Sequence, residues 1–219
     1  MNRRSSIRRS LVPGLAASSL VLLLAASTVH ASGASSGGGS SSEAPSVPET
    51  DLSPEEKAAA ARKSAIETYD KNFELTEKAG EEMAEARRLK AEGEGSARKA
   101  TELRESAVKR YRKAIDGFKK SVKLDPGYHE AWNMLGYSYR KTGQMGEAFK
   151  AYETCLKLKP DYDLAHEYLG EAYLQAGNLD KAKAELAWLT EHKSPEAANL
   201  SAAIEKVAAG QTAFLGTDW

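Results

Sequence analysis

The chain has 219 residues, 31 basic and 31 acidic side chains, 41% hydrophobic residues, four histidines and one cysteine. This balance gives no basic excess that would point to nucleic acid or anionic lipid, and a single cysteine excludes an internal disulfide. Along the helical stretches basic and acidic residues alternate, as solvated faces do.

At the N-terminus Arg3, Arg4, Arg8 and Arg9 precede an apolar run from Leu11 to Ala26, and Val29-His30-Ala31 offers small residues where a signal peptidase reads. A membrane span needs about 20 apolar residues, and this run is shorter, with Pro13 and Gly14 near its start. Residues 1–31 are expected to be a cleaved secretory signal, with retention as a membrane anchor the rival. The mature protein is expected to be periplasmic or secreted, without a stable membrane span. Loss of the signal arginines leaves a mature chain with about four more acids than bases. Residues 32–52 form a Ser/Gly/Pro tether with too little apolar surface to order itself.

The first helix start is Ser53-Pro54-Glu55-Glu56, a capping box with proline at the first helical position. Behind it Ile66, Tyr69 and Phe73 form an apolar stripe, followed by a highly charged stretch from 81 to 104 that breaks near Gly93-Glu94-Gly95-Ser96. A second helix, predicted from about Ser96 to Leu124, carries Ala107, Tyr111, Ala114, Phe118 and Val122 on one face. Residues 53–127 thus read as a long helical hairpin.

From here the chain repeats itself every 34 residues: Leu135, Gly136, Tyr139, Gly143 and Ala148 return as Leu169, Gly170, Tyr173, Gly177 and Ala182. By the same offset Ala114, Phe118, Leu124 and Pro126 map onto Ala148, Tyr152, Leu158 and Pro160. A fixed period of this size marks stacked helical hairpins, none of which buries its apolar face alone. Trp132-x2-Leu135-Gly136-x2-Tyr139, then Ala148-x3-Tyr152, then Pro160 resembles the tetratricopeptide repeat, with tyrosine for phenylalanine. The next unit has His166 in the tryptophan slot, then Leu169, Gly170, Tyr173, Ala182 and Leu186, with its closing proline displaced to Pro195.

The resemblance implies an all-α helical-hairpin solenoid: repeats at 128–161 and 162–194, an expanded first hairpin, and a capping helix at 195–209 with Ala197, Leu200, Ile204 and Val207 as its stripe. Residues 210–219 form a short tail. Gly136 and Gly170, costly inside a helix, suggest two helix backbones in close approach, with Ala148 and Ala182 as the small partners. Thr142-Gly143 and Gly177-Asn178 mark the turns within each hairpin.

No catalytic constellation stands out. Cys155 falls in a core slot and reads as a buried, inert thiol. His129, His166 and His192 show no ligand spacing, so no metal or other cofactor is expected. His166 reads as a packing residue with one nitrogen bonded. In tetratricopeptide arrays the first helix of each hairpin lines a concave groove, which the resemblance implies binds a peptide or helix of a protein partner. By register the groove-facing residues are Glu130, Asn133, Tyr137, Arg140 and Lys141 in one unit and Glu167, Glu171 and Gln175 in the next. Arg140 and Lys141 suit a carboxylate, Glu167 and Glu171 a cation, and Asn133 a peptide backbone. As polar residues on helices they are expected to be exposed, so that replacing Asn133, Tyr137 and Arg140 together leaves stability nearly unchanged. The expected function is a non-enzymatic scaffold in the bacterial cell envelope. The alternative is a structural protein that self-associates through residues 81–104.

Overall fold

The computed structural model describes residues 52–212. The expected signal at 1–31, the tether up to residue 51 and the end of the tail at 213–219 lie outside the described residues. Seven α-helices follow one another, with no strand among the described residues: α1 (Pro54–Glu92), α2 (Ala97–Leu124), α3 (His129–Lys141), α4 (Met145–Leu158), α5 (Asp163–Gln175), α6 (Leu179–Glu191) and α7 (Ala197–Ala208). No helix among them is long and apolar enough to cross a membrane. Each helix packs mainly on its neighbours in sequence, the arrangement of an all-α repeat solenoid.

The helix α1 begins as its sequence dictates. The Glu56 amide donates to Ser53 Oγ at 3.2 Å, and the Ser53 amide donates to the Glu56 carboxylate at 2.8 Å. After 39 residues α1 stops at Gly93, whose φ of 108° is closed to most side chains, and one turn of 3₁₀ helix at Glu94–Ser96 reverses the chain. The two long helices pack through small residues: Ala65, Ala79 and Ala86 on α1 face Ala100, Ala107 and Ala114 on α2, all buried. Ser121 Oγ donates across the contact to the Ala65 carbonyl at 2.8 Å. The α1 stripe finds its partners in the lower half of α2 and at the start of α3, where Tyr69 lies 5.6 Å from Phe118 and 5.2 Å from Tyr128, centroid to centroid.

In the two following hairpins the turn chemistry repeats. Gly143 and Gly177 take φ values of 78° and 75°, and the next amides, of Gln144 and Asn178, donate back to the Tyr139 and Tyr173 carbonyls at 2.9 and 2.8 Å. This is the left-handed cap that only glycine adopts without steric cost. The proline missing after α6 is replaced by the same cap built on Lys193, with φ 52°, from which Ser194 donates to the Leu189 carbonyl at 2.9 Å.

The close contacts at the two helical glycines differ from expectation. A β-carbon on Gly136 would lie 2.7 Å from Tyr152 Cε1, and one on Gly170 would lie 2.5 Å from Leu200 Cδ2. The glycines therefore make room for large side chains of α4 and α7, which come nearest to them. Leu200 and Ala203 of α7 close the last hairpin, packing with Leu174, Ala182 and Leu189.

His166 makes more bonds than its slot suggests. Trp132 donates its indole N–H to the Pro126 carbonyl at 2.9 Å, and one period later His166 Nε2 meets the Pro160 carbonyl at 2.9 Å. A carbonyl only accepts, so Nε2 carries hydrogen, while Nδ1 faces the Glu185 carboxylate at 2.7 Å. Both nitrogens are engaged, and the arrangement suits the imidazolium, which stacks on Trp188 at 3.6 Å. Burial opposes that charge, but the Glu185 and Pro160 bonds outweigh it and hold His166 above its usual 6.5. A raised folded pKa gives stabilisation that is complete below pH 6.5 and is lost as pH rises through the elevated value. Compared by urea unfolding at about pH 5.5 and about pH 8.5, Glu185→Gln should lose more stability at the lower pH, because it removes the His166 share of the pH dependence.

Cys155 is fully buried, and desolvation, with Glu130 nearby, pushes its thiol up to about 12. Native protein should therefore react with a thiol reagent far more slowly than the urea-unfolded chain, as followed by mass.

Candidate partner-binding face

The first helices of the three hairpins, α1, α3 and α5, touch in succession. From α2 over α3 to α5 runs a row of tyrosines: Tyr111 of α2 lies 6.0 Å from Tyr137 of α3, which lies 5.1 Å from Tyr168 of α5. Aromatic rings at these separations attract beyond their buried area, which holds the three hairpins in register.

A charged cluster sits on this row. Arg140 pairs with Glu171 of α5 and leaves its side chain only 1% exposed. Its guanidinium lies 5.4 Å from the Tyr137 ring and 6.0 Å from the Tyr168 ring. The Lys141 ammonium lies 5.2 Å from the Tyr137 ring. Arg87, from the lengthened part of α1, reaches the same place and acts electrostatically on Tyr137, Arg140, Lys141 and Glu171. Burial would raise the Glu171 carboxyl, but Arg140, Lys141 and Arg87 together hold it below the usual carboxylate value. Lys141 moves in the other direction. Desolvation first, then repulsion from Arg140 and Arg87, brings it down to about 7 despite Glu171.

Of the residues read from the sequence as facing the groove, Tyr137, Arg140, Lys141, Glu167 and Glu171 come together here. Gln175 follows Glu171 by one helical turn and is half-buried. Glu130 stands apart, at the opposite end of α3, beside His129 at 3.0 Å. The expectation of exposure is corrected for Asn133 and Arg140, each 1% exposed, and for Glu167, 6% exposed. The reason is geometric: α3 is packed by α2 and α4 and touched by α1 and α5, so its polar residues have almost no solvent side. Replacing Asn133, Tyr137 and Arg140 together is thus no surface change. Glu167 also differs in charge. Burial, then Glu171 and Glu196, push its carboxyl up to about 9, so at neutral pH it is protonated and offers no counter-charge to a cation.

Sequence reasoning missed Arg87 and Tyr168. The Tyr168 signal was present, since it follows the occupied slot at His166 by two residues. Arg87 lay hidden in a run of charge. Among the described residues no three His, Cys, Asp or Glu side chains are placed to hold a metal ion.

Two tetratricopeptide repeat family models match the chain, at residues 118–150 and 139–204. No curated protein matches it. Repeats of this family generally mediate binding between proteins, and they are typically non-enzymatic. The 34-residue period, the glycine caps, the successive helical hairpins and the two matches agree, and residues 118–204 of the chain belong to the tetratricopeptide repeat family.

Proposed function

We propose that this protein is an exported, non-catalytic adaptor of the bacterial cell envelope, and that the face of α1, α3 and α5 holds a peptide or helix of its partner. The observation that carries the reading is the half-buried Tyr137–Tyr168 pair, backed by the buried Tyr111, with charged groups at its edge. Flat amphipathic rings give large contact area at low conformational cost, and the flanking charges fix orientation. The N-terminal arginines and apolar run support export, which mass spectrometry of the exported chain tests: a mature N-terminus near Ser32 is expected.

A photo-crosslinking residue at Gln175, on the proposed face, compared with one at the exposed Lys183 of α6, tests the binding site in envelope extract. Adducts with a second protein from position 175 alone are expected. Adducts of twice the chain mass that vanish when residues 81–104 are deleted would favour the self-associating alternative instead.

A further inference from the structure

We propose that the outer face of α2 docks on the outer face of α1 in a second copy of this chain, so that copies join head to tail. The equal totals of basic and acidic residues hide an uneven distribution. On α2, Lys109, Arg112, Lys113, Lys119, Lys120 and Lys123 lie on one exposed stripe at helical spacing, and the single acid among them is Asp116. On α1 the same spacing gives an exposed stripe of Glu67, Asp70, Glu74, Glu77 and Glu81, with Lys71 and Lys78 among them. The stripes match in length and spacing and are opposite in sign: six bases against one acid on α2, five acids against two bases on α1.

Neither stripe spends its charge inside the molecule. Arg110 and Glu82 pair across the hairpin at 3.0 Å, and both lie outside the stripes. Among the described residues no ion pair uses a stripe charge. Lys119 reaches an aromatic ring instead, that of Tyr139 at 5.7 Å. Each stripe lies opposite the buried side of its helix, which carries Ala65, Thr76, Ala79 and Met83 on α1 and Ala107, Tyr111, Ala114 and Phe118 on α2. Because α1 and α2 pack on each other through those sides, the stripes look away from one another. One molecule therefore cannot satisfy both.

A flat anionic surface would suit the α2 stripe alone, whereas a second copy accounts for both stripes. That copy offers the matching acidic stripe and keeps its own basic stripe for the next. A contact between two different faces does not close on itself, so copies add in a row instead of stopping at two. Exposed ion pairs are individually weak and screened by salt, which makes the association concentration-dependent and sensitive to ionic strength. The contact uses no residue of the Tyr137–Tyr168 pair, so it stands or falls separately from the adaptor reading.

Sedimentation of the mature chain over a range of concentrations, at about 20 mM and about 500 mM salt, tests the contact. At low salt the mean mass should climb with concentration past twice the chain mass, and at high salt it should fall back to one chain. Lys113→Glu with Lys120→Glu on α2, and Glu74→Lys with Glu77→Lys on α1, should each leave a monomer, with melting curves checking that both variants fold. Mixed in equal amounts, the two variants should form a pair and stop there. The intact α1 stripe of the first then meets the intact α2 stripe of the second, and no further intact stripe remains. An unsubstituted chain that stays monomeric at low salt, or that stops at two copies, would overturn the proposal, as would a mixture no heavier than its parts. If a monomeric chain binds phosphatidylglycerol vesicles and the α2 variant does not, the stripe belongs to a lipid surface and the proposal falls. Assembly that survives both variants and disappears when residues 81–104 are deleted would likewise reject the stripes as the contact.

Discussion

Glu171→Ala should destabilise the protein by about 3–5 kcal/mol, because it strands the Arg140 guanidinium in a site that is 1% exposed. Folded domains typically hold about 5–15 kcal/mol, so a loss of this size should move the urea midpoint far to the left. Replacing both partners, as Arg140→Met with Glu171→Leu, should recover much of the loss, since an apolar pair leaves no uncompensated charge. The double-mutant cycle on urea midpoints checks both statements. If Glu171→Ala alone left the midpoint unchanged, the buried pair would not exist in solution.

Gly136→Leu should cost about 1–3 kcal/mol or more, as an overpacked core does. The added carbons would start 2.7 Å from the Tyr152 ring, which is fully buried and has nowhere to move. Gly146 of α4 is the control, since a β-carbon there meets nothing within 4 Å. Gly146→Ala should carry no penalty in the same thermal melt. A Gly136→Leu midpoint equal to that of Gly146→Ala would mean that α3 and α4 are packed in a different register.

The helical hairpins were legible in the sequence because their packing repeats. Leu135, Gly136, Tyr139 and Gly143 meet the same local demands as Leu169, Gly170, Tyr173 and Gly177, so the period carries the architecture without any knowledge of distant contacts. The start of α1 was legible for a similar reason, since a capping box is closed within four residues. The binding face was less so. Asn133 and Arg140 read as solvent-facing because polarity usually means exposure, but α3 has neighbours on most sides. Glu167 reads as an anion until its burial beside Glu171 and Glu196 is known. Arg87 is one of many charges in 81–104, and only the hairpin geometry, fixed by where Gly93 turns the chain, brings it to Arg140. Which partners His166 and Gly170 found, in Glu185 and Leu200, depends on how α6 and α7 fold back on α5.

The joint at Lys193 has a consequence for how the molecule opens. A left-handed residue other than glycine costs roughly 1–2 kcal/mol, and this one stands between the two helices with the fewest buried residues, α6 and α7. In a solenoid each unit is held only by its neighbours, so fraying starts where the interface is smallest. Amide hydrogens should therefore exchange with solvent first in α7, then in α6, and last in the α1–α2 hairpin with its long alanine seam. Brief, reversible unfolding at the C-terminal end would uncover Leu174 and Leu189 while leaving the tyrosine row intact.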